Sequence, residues 1–303
     1  MTEPRQRVAV ITGASSGIGL VCAETLASQG WRIIALGRDP GRTALAEARI
    51  RAAGGAGVRL DMIRADLSVM QEVVRAANEI TARFDRIDVL LNNAGGTAKE
   101  KLVTVEGNEA TFAGNHLGHF VLTNRLLPLL RAAAANSRAG ETRIVNVSSA
   151  AHAYSAGLNW NDLQMLENFV PMAAYCNAKL SNILFTRALA TRLAGSGIVV
   201  HAMHPGIVST NFINHADQGT QDYYRRKSDL LTADRGADTL IWLATAVEPG
   251  KTTGKYYYER SVTATSPMAD DIDAAERLWR ESEKIVAGVT SDTLLSPYFK
   301  SGE

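Results

Sequence analysis

Short apolar runs rich in valine, isoleucine and leucine alternate with longer segments whose apolar residues recur with the period of a helix. The short runs have the length and β-branched content of buried strands. Strands that alternate with helices form a mostly parallel sheet with helices packed on both faces. The pattern predicts seven strands, at residues 8–12, 32–36, 59–63, 89–91, 143–147, 199–203 and 256–258.

The segments between the strands predict helices, and an amphipathic pattern at residues 271–287 predicts another. The connectors at residues 54–57 and 137–140 are too short to be interdomain linkers. We therefore expect residues 1–303 to form a single domain with an α/β fold, in which a doubly wound parallel sheet of about seven strands is flanked by helices. The helices between the strands are centred near Cys22, Ala46, Val74, Leu122, Leu184 and Leu240.

Charge and cysteine content exclude several classes of protein. The 32 Lys and Arg residues and 31 Asp and Glu residues leave a formal charge of +1, without the basic surface typical of nucleic-acid binding. Cys22 and Cys176 lack CxxC spacing, which favours free thiols in a reducing compartment, with the cytoplasm as the default. The first strand begins too early for a signal peptide, and the apolar run 120–130 is interrupted by Arg125 and Pro128, so we expect no membrane anchor.

A glycine-rich turn, residues 12–19 (TGASSGIG), follows the first predicted strand and opens the first helix. Glycines let the main chain approach a pyrophosphate, and free amide groups at a helix start favour its negative charge. The spacing Gly-x-x-x-Gly-x-Gly differs from the common GxGxxG pattern, and a purely structural turn is the alternative. The context favours a Rossmann-type dinucleotide site. Its cofactor contacts are predicted at Gly13, Ser15, Ser16, Gly17, Ile18 and Gly19.

The end of the second strand bears on which nicotinamide cofactor binds. An acidic residue at this position would accept hydrogen bonds from the adenosine ribose of NAD, but the residue is Gly37. Arg38 follows it, and its guanidinium group suits the 2′-phosphate of NADP. The alternative is a solvated Arg38 with Asp39 on the ribose, and we favour NADP(H). Asp66, next to Leu67 after the third strand, is either an adenine contact or a helix cap.

Small and amide-bearing residues follow the fourth strand. Asn93, Ala94 and Gly95 would let a flat ring lie against the chain, although a plain turn is the alternative. Asn115 lies in an apolar helical segment, where a buried amide needs partners and takes either a structural or a relay role.

Two histidines near Asn115, His116 and His119, raise the question of a metal site. They lack the accompanying Cys, Glu or Asp ligands that would complete one. We therefore interpret them as core or surface histidines and expect no metal.

Tyr175 and Lys179 are four residues apart in a helix-forming segment, which puts a phenol and an ammonium group on one helix face. The unperturbed pKa of tyrosine is about 10, and a neighbouring ammonium is expected to lower the pKa of Tyr175 toward working pH. A phenol tuned in this way can protonate a ketone or deprotonate an alcohol. A buried tyrosine beside a solvated lysine is the alternative. Ser149 ends the fifth strand, where open α/β sheets bind ligands, and a capping serine is its alternative.

These motifs occur in an order that resembles the short-chain dehydrogenase/reductase family over nearly the whole chain. Four segments are similar to its retinol-dehydrogenase-like branch of lipophilic carbonyl reductases: residues 115–123 (NHLGHFVLT), 143–152 (RIVNVSSAAH), 174–186 (AYCNAKLSNILFT) and 204–211 (HPGIVSTN). Two departures stand out. Ala178 replaces a serine often found before the lysine, and a longer span between Ser149 and Tyr175 leaves Ser148 as an alternative to Ser149.

The resemblance implies a role for each motif. Tyr175 would be the general acid and base, and Lys179 would bind the nicotinamide ribose and tune Tyr175. Ser149 would orient the carbonyl group, and Asn115 would hold a proton-relay water.

The resemblance also implies a carboxamide-binding loop after the sixth strand. In this loop the Val208 main chain and the Thr210 hydroxyl would hold the carboxamide, next to Pro205 and Gly206. A homo-oligomer, either a dimer or a tetramer, is implied as well.

Two apolar segments, residues 158–169 and 212–224, bracket the candidate site. They would bury a bulky substrate, and core packing is the alternative. We expect Trp160 in the first segment and Phe212 in the second to line the substrate pocket. Residues 212–231 form a long, polar-interrupted segment after the carboxamide loop, so we expect a mobile lid there.

The sequence therefore predicts an NADP(H)-dependent alcohol dehydrogenase or carbonyl reductase. It would interconvert lipophilic, bulky ketones or aldehydes and alcohols by hydride transfer, with Tyr175 as the general acid and base. A retinoid or steroid dehydrogenase is the narrower alternative. A cofactor-sensing regulatory Rossmann protein is the alternative from another class, and the Tyr175 and Lys179 pair argues against it.

Overall fold

The computed structural model describes residues 5–209, 213 and 216–288, and within these ranges eight strands form one sheet. Their order is β3-β2-β1-β4-β5-β6-β7-β8, and all neighbours are parallel except β7 and β8. The α/β fold with a mostly parallel sheet is confirmed. The strands are β1 (Val8–Thr12), β2 (Arg32–Gly37), β3 (Leu60–Arg64), β4 (Val89–Asn92), β5 (Thr142–Val147), β6 (Ile198–Met203), β7 (Lys255–Tyr258) and β8 (Ser261–Val262).

The sequence pattern does not predict the eighth strand. Its two residues are exposed, and it pairs antiparallel with β7, so that Val262 lies opposite Tyr257. The turn residues Glu259 and Arg260 have φ angles of 47° and 60°, and a two-residue hairpin of this kind needs positive φ at both positions. Because neither residue is glycine or asparagine, the usual hairpin signal is missing.

Helices lie between the strands at the predicted positions. A π-helical turn, Ala113–Leu117, joins α4 to α5 and carries Asn115. Such turns occur often at functional sites. The helices are α1 (Gly17–Ser28), α2 (Pro40–Gly54), α3 (Met70–Arg83), α4 (Ala110–Phe112), α5 (Gly118–Ala134), α6 (Pro171–Arg192), α7 (Gln218–Arg226), α8 (Ala233–Thr245), α9 (Pro267–Asp270) and α10 (Ile272–Ala287).

Helices cover both faces of the sheet. On one face, Leu26 of α1 and Leu240 of α8 belong to a buried cluster with side chains from β1 and β2. On the other face, a larger cluster includes Leu126 of α5, Leu184 of α6 and Leu278 of α10. Strands buried on both sides in this way have nearly continuous apolar sequences.

Helix α10 covers α5 and α6. Trp279 is buried, and its ring centroid lies 5.0 Å from that of Phe120 in α5 and 5.8 Å from that of Phe185 in α6. The guanidinium group of Arg192 lies 4.1 Å from the Trp279 ring centroid and hydrogen-bonds Glu276 at 2.7 Å. Burying a large apolar side chain contributes about 1.5–3 kcal/mol. The amphipathic pattern near the carboxyl terminus therefore has a packing role.

The strand order reverses beside β1, whose two neighbours are β2 and β4. In open α/β sheets, ligands bind at the carboxyl ends of the strands near such a reversal. The topology therefore predicts a ligand site at the carboxyl ends of β1, β2, β4 and β5. Among the described residues, no helix combines the length and apolar character needed to cross a membrane.

Candidate active site

A cleft of about 590 Å³ opens at the carboxyl ends of these four strands. Gly19 and Trp160 do not line it, and Thr210 and Phe212 lie outside the described residues. The other predicted site residues all line the cleft: Gly13, Ser15, Ser16, Gly17, Ile18, Arg38, Asp66, Leu67, Asn93, Ala94, Gly95, Asn115, Ser149, Tyr175, Lys179, Pro205, Gly206 and Val208.

The glycine-rich turn is shaped by close approach of the main chain. Gly13 and Gly17 have φ angles of 67° and 54°, and a Cβ on Gly13 would lie 2.9 Å from the Ala94 Cα atom. A Cβ on Gly19 would lie 2.5 Å from the Gly13 carbonyl oxygen, so Gly19 packs behind the turn. The Ser16 side chain makes no capping bond, and the first turn of α1 holds no acidic residue. The main-chain amide groups in the first turn of α1 can therefore bind an anion such as a pyrophosphate.

The segment after β4 is tied to the end of β1. The Thr12 hydroxyl accepts hydrogen bonds from the Asn93 and Ala94 amides, both at 2.9 Å, and the Asn93 side chain donates to the Thr12 carbonyl at 2.8 Å. A Cβ on Gly95 would lie 2.5 Å from Asn115 Oδ1 and 2.9 Å from Lys179 Nζ. Only glycine fits there without a shift, and this narrow cradle fits a dinucleotide lying against the chain.

Two arginines meet the cleft beyond β2. Arg38 is exposed, and its Nη1 atom lies 3.3 Å from Asp66 Oδ2. Arg42, in the first turn of α2, also lines the cleft, and the sequence reasoning missed it. Its signal was a second arginine four residues after Arg38. A Cβ on Gly37 would lie 2.8 Å from Thr43 Oγ1 and 2.9 Å from Ser15 Cβ, so a larger residue there would require these side chains to shift.

Asp39 and Asp66 have distinct local roles. Asp39 caps α2 by accepting a hydrogen bond from the Arg42 amide at 2.8 Å, and it does not line the cleft. Asp66 accepts hydrogen bonds from the Ser68 amide at 2.9 Å and the Ser68 hydroxyl at 2.7 Å, while it also lines the cleft. Asp66 therefore forms a turn with Ser68 ahead of α3 and lines the cleft. It does not cap α3, because that helix begins at Met70 with Val69 as its N-cap, so the helix-cap alternative is wrong.

Three side chains converge where β5 and α6 meet the cleft. Tyr175 and Lys179 lie one turn apart on α6, with Lys179 Nζ 5.6 Å from the Tyr175 ring centroid. Ser149 lines the same cleft, and its side chain is close enough to influence the Tyr175 phenol. Lys179 is buried and donates to the Val147 carbonyl at 3.2 Å. This arrangement can give a proton to, or take one from, a group held beside Ser149.

The electrostatics differ from the sequence expectation at one point. Burial raises the pKa of the Tyr175 phenol, and the hydrogen bond from Ser149 offsets this only in part. The expected lowering of that pKa by Lys179 is wrong for this structure, because loss of solvent dominates. Burial also lowers the pKa of Lys179 to about 8.

Asn115 uses its side chain to hold the chain together. Its Nδ2 atom donates to the carbonyls of Gly96 at 2.8 Å and Thr111 at 2.7 Å, and its Oδ1 atom accepts from the Gly96 amide at 3.2 Å. His116 and His119 are both buried. No group of three histidine, cysteine or acidic side chains within the described ranges could hold a metal ion.

The loop after β6 reaches the cleft at Pro205, Gly206 and Val208. Gly206 has a φ angle of 83°, which favours glycine. Val208 forms a bridge with Leu231, so the last residue of the predicted lid segment lies beside the loop after β6. The lid itself stays a prediction.

Trp160 lies at a different place from the one predicted. It lines a second cavity of about 390 Å³, together with Leu180 and Leu184 of α6 and Met268 of α9. The Arg277 guanidinium group lies 4.6 Å from its ring centroid. The segment that carries Trp160 packs against the far side of α6, so this tryptophan does not contact the cleft.

Tyr224 of α7 lines the cleft instead. It adds to the raised pKa of Tyr175, which puts the two phenols within electrostatic reach of each other. Tyr224 falls within the predicted lid segment 212–231, but the sequence did not assign it to the pocket.

Comparison with known proteins points to one family. The family model for short chain dehydrogenases matches residues 7–221. Human retinol dehydrogenase 12 is 36% identical over 278 residues, which cover 91% of this chain and 85% of that protein. The chloroplastic short-chain dehydrogenase TIC 32 A of Brassica napus is 32% identical over 94% of this chain and 90% of its own length.

Solved structures agree. An uncharacterised protein from Mycobacterium paratuberculosis is 32% identical, with a TM-score of 0.72 over 92% of this chain and 93% of that one. A 3-ketoacyl-(acyl-carrier-protein) reductase from Brucella melitensis, complexed with NADH, has a TM-score of 0.64, 26% identity and coverage of 82% and 95%. Pseudomonas aeruginosa RhlG, complexed with NADP, has a TM-score of 0.66, 26% identity and coverage of 87% and 96%.

Proposed function

Since the chain belongs to the short-chain dehydrogenase family and to its retinol-dehydrogenase-like branch, we propose that this oxidoreductase uses NADP(H) to interconvert lipophilic ketones or aldehydes and the corresponding alcohols. One observation carries the proposal. Ser149, Tyr175 and the buried Lys179 line one cleft, with Tyr175 one helical turn from Lys179.

In the reductive direction, Tyr175 donates its proton to the carbonyl oxygen of the substrate, and the Ser149 hydroxyl donates a hydrogen bond to the same oxygen. Because burial raises the pKa of Tyr175, the phenol stays protonated at neutral pH and is ready to act as an acid. The Lys179 ammonium group then stabilises the phenolate that is left behind. Asn115 holds the relay water that returns a proton to this site.

The bound cofactor supplies or accepts the hydride. The amides at the start of α1 bind its pyrophosphate, and Gly95 lets it approach Lys179. We assign the 2′-phosphate of NADP to Arg38 and Arg42, since both guanidinium groups line the cleft beyond β2. Gly37 supports NADP over NAD, because a glycine supplies no carboxylate to the adenosine ribose at the end of β2.

Tyr224 and Phe212 are the proposed contacts for the apolar part of the substrate. We assign Tyr224 to the substrate pocket because it lines the cleft and lies close enough to Tyr175 to raise the pKa of that phenol. A retinoid is the narrower candidate substrate, and the likeness to human retinol dehydrogenase 12 favours it. A cofactor-sensing role is disfavoured because a sensor has no need for the Ser149, Tyr175 and Lys179 set.

The test is NADPH oxidation by the purified protein across ketones and aldehydes of graded bulk, with retinal included. We expect turnover that rises with apolar bulk, and loss of about a hundredfold or more in kcat for Tyr175→Phe, which still binds NADPH. Near-normal turnover by Tyr175→Phe would overturn the proton-donor assignment. Binding of NADPH without turnover of any carbonyl substrate would favour the sensing role.

Location and assembly are also proposed. Cys22 and Cys176 are both buried, free thiols, which suits a reducing compartment such as the cytoplasm. A homo-oligomer rests on the family resemblance, and light scattering of the purified protein measures its size.

A further inference from the structure

His119 joins two parts of the candidate site that are far apart in sequence. It is 2% exposed and lies in α5. Its Nδ1 atom lies 3.0 Å from the main-chain oxygen of Asn115, and its Nε2 atom lies 2.9 Å from Thr12 Oγ1. One imidazole ring therefore bridges the π-helical turn and the end of β1.

The partners determine which ring nitrogen carries the proton. A carbonyl oxygen only accepts, so Nδ1 must donate to Asn115. The Thr12 hydroxyl accepts from the Asn93 and Ala94 amides, both at 2.9 Å. Its single hydrogen has two acceptors within reach, the Leu91 carbonyl at 3.3 Å and His119 Nε2 at 2.9 Å, and the shorter contact favours donation to Nε2. The result is a continuous chain of hydrogen bonds from the segment after β4, through Thr12 and His119, to Asn115.

The imidazole stays neutral in this position. The pKa of His119 is lowered to about 4, mainly by burial and to a smaller extent by the positive charge of Lys179, although the hydrogen bond to the Asn115 carbonyl opposes this shift. A neutral ring is required, because only an unprotonated Nε2 atom can accept from Thr12.

We propose that His119 is a positioning residue that couples the cofactor-binding segment after β4 to the turn that carries Asn115. Its function in turnover rests on the proposed reaction. The Nε2 atom fixes the Thr12 hydroxyl, which in turn positions the Asn93 and Ala94 amides in the cofactor-binding segment. The Asn115 side fixes the main-chain oxygen of the turn beside Gly96. Cofactor affinity and turnover thus depend on opposite nitrogens of one ring.

The first test compares His119→Leu with His116→Leu. His116 is equally buried in the adjacent turn, but its Nε2 atom lies 2.8 Å from Ser282 Oγ in α10, outside the cleft. For His119→Leu we expect NADPH binding to weaken and kcat to fall, each by about tenfold, because two buried groups lose their partner. For His116→Leu, stability falls, while the Kd of NADPH and kcat stay within about twofold. Equal effects of the two variants on Kd and kcat would overturn the proposal.

A second variant separates the two ends of the bridge. Asparagine in a helix of this chain donates to the carbonyl four residues earlier, as Asn124 does to Phe120 at 2.8 Å. His119→Asn should therefore keep the bond to the Asn115 oxygen and lose the bond to Thr12. We expect kcat to recover to within about threefold of wild type while the weakened NADPH binding persists. Recovery of both quantities, or of neither, would contradict the bridging role.

A third measurement is independent of turnover and of variant stability. In ¹⁵N-histidine-labelled wild-type protein, assigned with His119→Asn, the proton should lie on Nδ1 of His119 from pH 6 to pH 8. A proton on Nε2, or a cationic ring in that range, would overturn the proposal. If wild-type protein binds NADPH but reduces no carbonyl, the proposed reaction fails, whereas the tautomer and the Kd comparison still decide the role of His119.

Discussion

The Ser148 hydroxyl donates a hydrogen bond to the main-chain oxygen of Lys179 at 2.6 Å. This contact fastens the residue after β5 to α6. Ser149 instead accepts from the Ala151 amide at 3.1 Å, and its side chain influences the pKa of Tyr175. The two adjacent serines, which the sequence could not separate, thus have different neighbours.

This difference predicts different outcomes for the two serine variants. Ser149→Ala should lower kcat by about a hundredfold or more, because a donor to the developing oxyanion is lost. Ser148→Ala should reduce the free energy of unfolding by about 1 kcal/mol and change kcat little. Steady-state kinetics and urea unfolding of both variants measure these effects. Greater loss of activity in Ser148→Ala at unchanged stability would reverse the assignment.

Cofactor selectivity is expected to depend on Arg38 and Arg42. Replacing either arginine by alanine should weaken NADPH binding by about tenfold, because one charge-assisted hydrogen bond to the 2′-phosphate is lost. NADH binding should change little, because NADH has no 2′-phosphate. Arg49→Ala is the matched control. Arg49 lies in α2, as Arg42 does, but it is exposed, forms an ion pair with Glu24 and does not line the cleft. Calorimetric titration gives both Kd values. A wild-type protein that binds NADH as tightly as NADPH would contradict this prediction.

Turnover should fall on the basic side of neutrality. Burial lowers the pKa of Lys179 to about 8, so its ammonium form predominates below that pH and is lost above it. The pKa of Tyr175 is raised, so the phenol remains protonated over the same range. We therefore expect kcat/KM for reduction to decline with a midpoint near pH 8, measured with NADPH between pH 6 and 10. A profile that stays flat to pH 9.5 would show that the charge of Lys179 is not needed.

The buried histidines should make the fold sensitive to acid. Burial lowers the pKa of His116 to about 3 and that of His119 to about 4, whereas the unfolded chain binds these protons near pH 6.5. Below pH 6.5 the unfolded state therefore binds more protons than the folded state. The contribution of the two neutral histidines to the free energy of unfolding is fully present above pH 6.5 and is lost as the pH falls toward 4. Urea unfolding at several pH values should show a shallower loss for His116→Leu than for wild type. The same slope in both proteins would refute the linkage.

Substrate preference should respond to Tyr224 and not to Trp160. Tyr224 lines the cleft, so Tyr224→Ala should lower kcat/KM for bulky ketones more than for small ones, through loss of buried apolar contact. Trp160 lines the separate cavity beyond α6, so Trp160→Ala should lower the melting temperature and leave the ranking of ketones unchanged. A shift in ranking caused by Trp160→Ala would mean that its segment reaches the substrate.

Much of the fold and of the candidate site is predictable because it is encoded by residues close in sequence. The first seven strands follow from apolar runs, and the glycine turn and the Tyr175 and Lys179 pair follow from fixed spacings. The eighth strand is the exception: two exposed residues carry no period, and pairing with β7 alone defines it.

Spacing along the chain determined which residues share a turn or a helix face, and so the sequence by itself identified the family, the candidate dinucleotide turn and the candidate catalytic pair. The tertiary structure alone decided what lies across the cleft from them. It brought Arg42 to the cleft, took Trp160 away from it, and joined His119 to Thr12. It also reversed the expected pKa shift of Tyr175, because burial depends on how distant segments pack, and no local spacing encodes that.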